Sequence, residues 1–127
     1  MKGALALLMA LWAAPVLAQK LDCRMPVTQQ DMNQCAYQDY LVADDALNRS
    51  YRAAIARARD LEQYVSADVE QSLRAAQRAW IAFRDLACAV EGMPNEGGSM
   101  QPMIVSGCLT RLTWARQQDL DLFGGEG

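Results

Sequence analysis

The chain contains no histidine, so it lacks the side chain that most often acts as a general base near neutral pH or as a metal ligand. It also lacks the Cys-x-x-Cys-His sequence that covalent haem attachment needs. Its serines have no evident base beside them, and paired acids such as Asp44 and Asp45 are adjacent, so they diverge around a helix. These absences predict a protein that is not an enzyme and needs no cofactor.

An excess of basic residues is also missing. The chain has 12 lysines and arginines against 15 acids, and the segment from Arg49 to Arg78 contains acidic residues as well as arginines. Nucleic-acid-binding proteins usually concentrate positive charge on one surface, so we exclude nucleic acid as a partner. A mildly acidic protein instead meets a basic protein faster.

Only one long apolar run is present, and it lies at the N-terminus. It extends from about Ala4 to Leu17 and ends in the small-residue pattern of signal-peptidase cleavage before Gln19. Pro15 interrupts this run, which is shorter than the roughly 20 residues of a membrane-spanning helix. We therefore predict a signal peptide of residues 1–18 and no stable membrane insertion after its removal.

The mature chain of residues 19–127 would have 109 residues and a net charge of −4, the size of one domain. Cys23 follows Lys20-Leu21-Asp22 rather than small apolar residues, so no lipid anchor is expected. The predicted location is the periplasm or the exterior of the cell, because both use the same signal.

The mature sequence predicts three amphipathic helices and no sheet, since alternation of period two is absent. The first spans about 28–63 and opens at Thr28, whose hydroxyl can cap it. The second opens near Ser66 and ends at Gly92, and the third begins at Ser99 and ends at Gly124. Short connections then give an all-α antiparallel three-helix bundle.

The four cysteines are Cys23, Cys35, Cys88 and Cys108, and in a secreted chain they indicate disulfides. The predicted bundle places all four at one end, so geometry leaves three pairings open. We favour Cys23–Cys35, which would hold the N-terminal segment on the first helix, and Cys88–Cys108, which would close the loop between the last two helices. The spacings lack the close pairs of structural zinc sites, so no metal is predicted.

Aromatic residues at helical spacing predict the core. Tyr51, Trp80 and Phe83 are expected to be buried, because large aromatics bury most apolar area in a small bundle. The apolar side of the second helix is predicted to comprise Val69, Leu73, Ala76, Trp80, Phe83, Ala87 and Val90. A structural polar network between helices is expected from Asp44, Asn48, Arg84, Thr113 and Arg116.

Several blocks of this sequence resemble the lysozyme-inhibitor LprI-like family, long catalogued as a domain of unknown function. The N-terminal blocks are Cys23, Thr28-Gln29, Met32-Asn33-Gln34-Cys35-Ala36, Ala43-Asp44, Leu47-Asn48 and Tyr51. The C-terminal blocks are Leu73-Arg74-Ala75-Ala76-Gln77-Arg78-Ala79-Trp80-Ile81-Ala82-Phe83-Arg84-Asp85, Cys88, Gly97-Gly98-Ser99-Met100, Pro102-Met103-Ile104, Cys108-Leu109, Leu112-Thr113 and Arg116. The resemblance covers essentially the whole mature chain and implies a small secreted lysozyme inhibitor. Unlike lipoprotein members, this chain has no lipidation site.

The loop Glu91 to Ser99 is the predicted partner-binding surface. An acid at Glu91 is disfavoured by the helix dipole, so capping does not explain it. Our hypothesis is that the loop presents Glu91, Met93, Asn95 and Glu96 to a basic protein, for which the resemblance implies lysozyme. The alternative is a flexible connector, which Gly97-Gly98 would also provide. The alternative function is an interaction module of the cell envelope without lysozyme activity.

Overall fold

The computed structural model describes residues 20–125. The predicted signal peptide, residues 1–18, lies outside the described residues. The described chain forms three long α-helices with no strand among them, so the predicted all-α fold is confirmed. The elements are α1 (Gln29–Leu61), α2 (Val69–Gly92), a short 3-10 helix (Met93–Asn95) and α3 (Gln101–Gly124).

Local chemistry explains where each helix begins and ends. The hydroxyl of Thr28 accepts a hydrogen bond from the backbone N–H of Asp31, whose carboxylate accepts one from the backbone of Thr28. This reciprocal capping box lowers the pKa of Asp31, first through the backbone hydrogen bond of Thr28. Asp68, rather than the predicted Ser66, caps α2 through the N–H of Gln71. Gly125 ends α3 with φ of 81°, a conformation that glycine adopts without strain.

The third helix lies alongside α1 and parallel to it. The side chain of Asn33 donates to the carbonyl oxygen of Ser99 at 2.9 Å near one end. Gln117 donates to the hydroxyl of Ser50 at 3.1 Å further along both helices. Three fully buried alanines on α1 keep its inner side narrow, so the backbones can approach closely: Ala43, Ala54 and Ala58.

The apolar core lies where the three helices meet. Leu47 and Ala54 of α1 pack with Leu120 of α3, and all three are almost completely buried. Partly buried large side chains surround this cluster: Tyr51, Leu73 and Trp80. Two of the three predicted core aromatics, Tyr51 and Trp80, therefore contact the core.

The predicted inner face of α2 is wrong in part. Phe83 is 61% exposed, and Ala76 and Val90 are also exposed. The buried residues of α2 are Gln77, Arg84, Cys88 and Gly92. The physical reason is that α2 carries alanines and larger apolar residues around most of its circumference, so periodicity alone does not define one face.

None of the helices within residues 20–125 is long and apolar enough to span a membrane.

Candidate functional site

Two disulfides hold one end of the bundle. Cys23 bonds to Cys35, and Cys88 bonds to Cys108, each with Cα atoms 5.4 Å apart. The favoured pairing is confirmed. The first bond attaches the segment before α1 to that helix, and the second joins the last turns of α2 to α3. Within the part of the chain that the structure describes, no group of three or more cysteine or acidic side chains is placed to bind a metal ion.

The connection between α2 and α3 is a sequence of hydrogen-bonded turns. The N–H of Glu96 donates to the carbonyl oxygen of Met93 at 3.0 Å, and that of Gly98 donates to Asn95 at 2.9 Å. The backbone N–H of Gly97 donates to the side-chain oxygen of Gln101 at 3.3 Å, and Gly97 has φ of 75°. The Gln101 contact and the Asn33 bond to Ser99 hold the connection against α3 and α1.

Two of the proposed partner-binding residues border one groove between α2 and α3. Met93 is 58% exposed and Glu96 is exposed. The groove has a volume of about 420 Å³. Its lining consists of Asp85, Ala89, Met93, Glu96, Gln101, Val105 and Leu109. An exposed apolar side chain therefore stands beside two acidic ones.

The other two proposed residues have different surroundings. The carboxylate of Glu91 pairs with the guanidinium of Arg111 on α3 at 2.7 Å. This ion pair accounts for an acid near the C-terminal end of α2, where the helix dipole disfavours it. Asn95 is half-buried within the 3-10 turn. The structure thus brings Met93 and Glu96 together and leaves Glu91 neutralised beside α3.

Arg84 links α2 to α1 from a buried position. It is 6% exposed, and its guanidinium lies 2.8 Å from Asp85 and 3.7 Å from Asp44. The guanidinium carbon also lies 5.4 Å from the ring centre of Tyr40 and 5.1 Å from that of Trp80, within cation–π range. Burial raises the pKa of Tyr40 above its ordinary value, while the charge of Arg84 opposes that shift.

The five residues of the predicted polar network do not form one network. Asn48 donates to the carboxylate of Asp44 at 3.2 Å, and Asp44 in turn faces Arg84. Arg116 instead donates to the side-chain oxygen of Gln77 at 3.0 Å. The hydroxyl of Thr113 is buried and has no hydrogen-bond partner among the described residues.

Tyr40, Gln77 and Asp85 also take part in these contacts, and they were not predicted from the sequence. Tyr40 lies four residues before Asp44, and Gln77 lies seven before Arg84, so helical spacing alone places each on the same face as its neighbour. The spacing within each helix was therefore visible in the sequence. Which residue each side chain contacts on a neighbouring helix was not visible, because that depends on the rotation of α2.

A second charged cluster lies at the opposite end of the bundle. Arg59 and Arg74 both donate to the carboxylate of Glu70, with closest distances of 2.5 Å and 2.6 Å. These hydrogen bonds, that of Arg59 first, lower the pKa of Glu70 to about 2. The cluster joins α1 to the first turn of α2 across the intervening loop.

The family model described as lysozyme inhibitor LprI matches residues 23–120. The uncharacterized protein R02472 of Rhizobium meliloti (strain 1021) is 44% identical over 115 residues, which cover 84% of this chain and 83% of that relative. No solved structure matches this chain. The family match includes all four cysteines and extends almost to the end of α3. The chain belongs to the lysozyme inhibitor LprI family.

Proposed function

We propose that this protein inhibits lysozyme by protein–protein contact and is not itself an enzyme. The observation that carries the proposal is the family match over residues 23–120, which covers the disulfide-held part of the bundle. Net negative charge supports a basic partner, because opposite net charges speed encounter.

We place the contact at the disulfide-held end, on the groove bordered by Met93 and Glu96. Met93 offers an exposed apolar side chain, and Glu96 supplies an acidic group next to it. The carboxylate of Asp85, which also lines the groove, already pairs with Arg84. An apolar contact with a charged rim is the arrangement that tight interfaces use. The hydrogen-bonded turns support this location, since a fixed surface loses less conformational entropy on binding.

Glu91 and Asn95 have smaller parts in the proposed contact. Glu91 already pairs with Arg111, so a basic partner gains less from it. Asn95 accepts the hydrogen bond from Gly98 through its backbone and shapes the turn.

We further propose that the protein acts in the periplasm or outside the cell, after cleavage that leaves residues 19–127. Two disulfides support this location, because such bonds persist in oxidising compartments.

The test is lysis of a peptidoglycan suspension by several lysozymes in the presence of the oxidised mature protein. Glu96→Lys should weaken inhibition about tenfold or more, which corresponds to ~1.4 kcal/mol. Met93→Ala should weaken it through lost apolar contact. The matched control is Asp119→Lys, the same charge change at an exposed site near the other end of α3, and it should leave inhibition unchanged.

Equal inhibition by wild type, Glu96→Lys and Met93→Ala would overturn the proposed surface. Failure to inhibit any lysozyme would overturn the proposed function and would favour an interaction module of the cell envelope. The two failures are distinguishable, because the first leaves inhibition intact.

A further inference from the structure

One exposed side of α2, continued by Met93 of the 3-10 helix, carries no charged residue over more than five turns. Ten exposed residues lie on this side, which we call the α2 face. They are Ser72, Ala75, Ala76, Ala79, Ala82, Phe83, Leu86, Ala89, Val90 and Met93. Helices of soluble proteins normally place charged and polar residues opposite the core. By contrast, exposed charged residues are spread along α1, among them Asp45, Arg49 and Arg57.

The α2 face follows a seven-residue repeat. Positions 72, 79, 86 and 93 form one row, positions 75, 82 and 89 form the second, and positions 76, 83 and 90 flank them. This spacing is the one by which helices pair along a continuous seam. The face therefore has the pattern of a helix–helix interface, although no helix of the described chain covers it.

Residue size divides the α2 face into two halves. The N-terminal half consists of alanines and one serine, and the C-terminal half carries the large side chains. Phe83 is 61% exposed, Leu86 70% and Val90 59%. When two copies of such a helix pair in antiparallel orientation, the large half of each meets the small half of the other, which is how interfaces fill space without overlap.

Charges at one edge of the α2 face fit the same orientation. Arg78 and Asp85 are exposed, lie seven residues apart and border the same side of the face. An antiparallel pair whose two-fold axis passes between Ala79 and Ala82 places Arg78 of each copy beside Asp85 of the other. Two opposite-charge contacts then flank an uncharged centre.

We propose that a second copy of this chain packs on the α2 face to form an antiparallel homodimer. In this arrangement Leu86 packs against Ala75 of the second copy and Phe83 against its Ala76. A basic protein is a poorer fit, since the face itself offers no acid to attract it. The α2 face includes Ala89 and Met93, which also line the groove, so the second copy and lysozyme would compete for these two residues.

The area of the α2 face determines how tightly the two copies are expected to bind. At 1.5 Å per residue the face is about 32 Å long. Over that length, half the circumference of a helix about 10–12 Å in diameter gives a contact area on the order of 500 Å² per copy. The total of about 1,000 Å² is near the lower limit for specific association. Dimerisation should consequently depend on concentration.

The test is sedimentation of the oxidised mature protein at concentrations from about 1 µM to about 1 mM. The average mass should rise from one copy toward two. Leu86→Glu should weaken dimerisation about a hundredfold or more, because an unpaired charge would be buried against Ala75 of the second copy. Leu122→Glu, at a 75% exposed leucine of α3, is the matched control and should sediment as wild type.

A charge reversal tests the orientation. Arg78→Asp should be monomeric, since like charges then meet twice in the dimer, whereas Arg78→Lys keeps the charge and should still dimerise. A monomeric wild-type protein at about 1 mM would overturn the proposal. So would a monomer that instead binds lipid vesicles, which would make the face a membrane contact. Sedimentation measures the mass of this protein without lysozyme, so a failure to dimerise is distinguishable from a failure to inhibit lysozyme.

Discussion

Gly92 lies against α3 at the end of α2, and replacing it with alanine should destabilise the protein. The residue is buried, and a β-carbon there would lie 2.6 Å from a methyl carbon of Val105. Its φ of −77° is ordinary for alanine, so the cost comes from packing rather than from backbone strain.

The neighbouring structure has little room to relax around this added methyl group. Val105 is β-branched and lies in α3, where one side-chain rotamer is strongly preferred. The Cys88–Cys108 disulfide joins the same two helices about one turn away and resists their separation. Overpacking of this kind costs about 1–3 kcal/mol, and we expect a value in the upper half of that range.

Thermal and urea unfolding of the oxidised protein would measure this cost. The matched control is Gly107→Ala within α3, where no atom lies within 4 Å of the added β-carbon. Alanine has less backbone freedom than glycine in the unfolded chain, so this variant should be more stable than wild type by about 0.5–1 kcal/mol. The two substitutions should therefore shift the melting temperature in opposite directions. A Gly92→Ala protein as stable as wild type would show that α2 and α3 do not meet as closely as described.

Three further variants test other contacts of the bundle. Glu70→Gln should have a lower melting temperature than wild type at neutral pH. This difference in melting temperature should close as the pH falls from 4.5, the ordinary pKa of the carboxyl group, through its folded value of about 2. Melting curves at several pH values check this. Removal of the 20-residue cross-link by Cys88→Ser with Cys108→Ser should cost about 3 kcal/mol, measured by urea unfolding. Leu120→Ala should cost about 2–5 kcal/mol in the same assay because Leu120 is 1% exposed; a loss below 1 kcal/mol would contradict its place in the core.

Local signals predicted most of the fold. Thr28 caps the first turn of α1 with its hydroxyl, and Gly125 ends α3 through its left-handed backbone conformation. Because both effects are local, the beginning of α1 and the end of α3 follow from the sequence. The number of helices and the favoured disulfide pairing also agree with the structure. Each of these features depends on residues near in sequence or on the order of the helices.

The rotation of α2 could not be predicted in the same way. Arg84 is buried because Asp44, Asp85 and two aromatic rings compensate its charge, and those partners come together only in the folded bundle. Phe83 points outward as a consequence. For the proposed binding surface, the sequence identified Met93 and Glu96, but the groove beside them depends on α3, and the Arg111 partner of Glu91 lies 20 residues away.

An inhibition titration tests whether the oxidised protein binds lysozyme and blocks its activity. Lysis of a peptidoglycan suspension would be followed as the oxidised mature protein is added to each of several lysozymes, and any effect would be measured again after reduction. We expect saturable inhibition of at least one lysozyme, and we expect this inhibition to be lost when the disulfides are reduced. Undiminished lysis by every lysozyme at saturating concentrations of the oxidised protein would contradict this expectation.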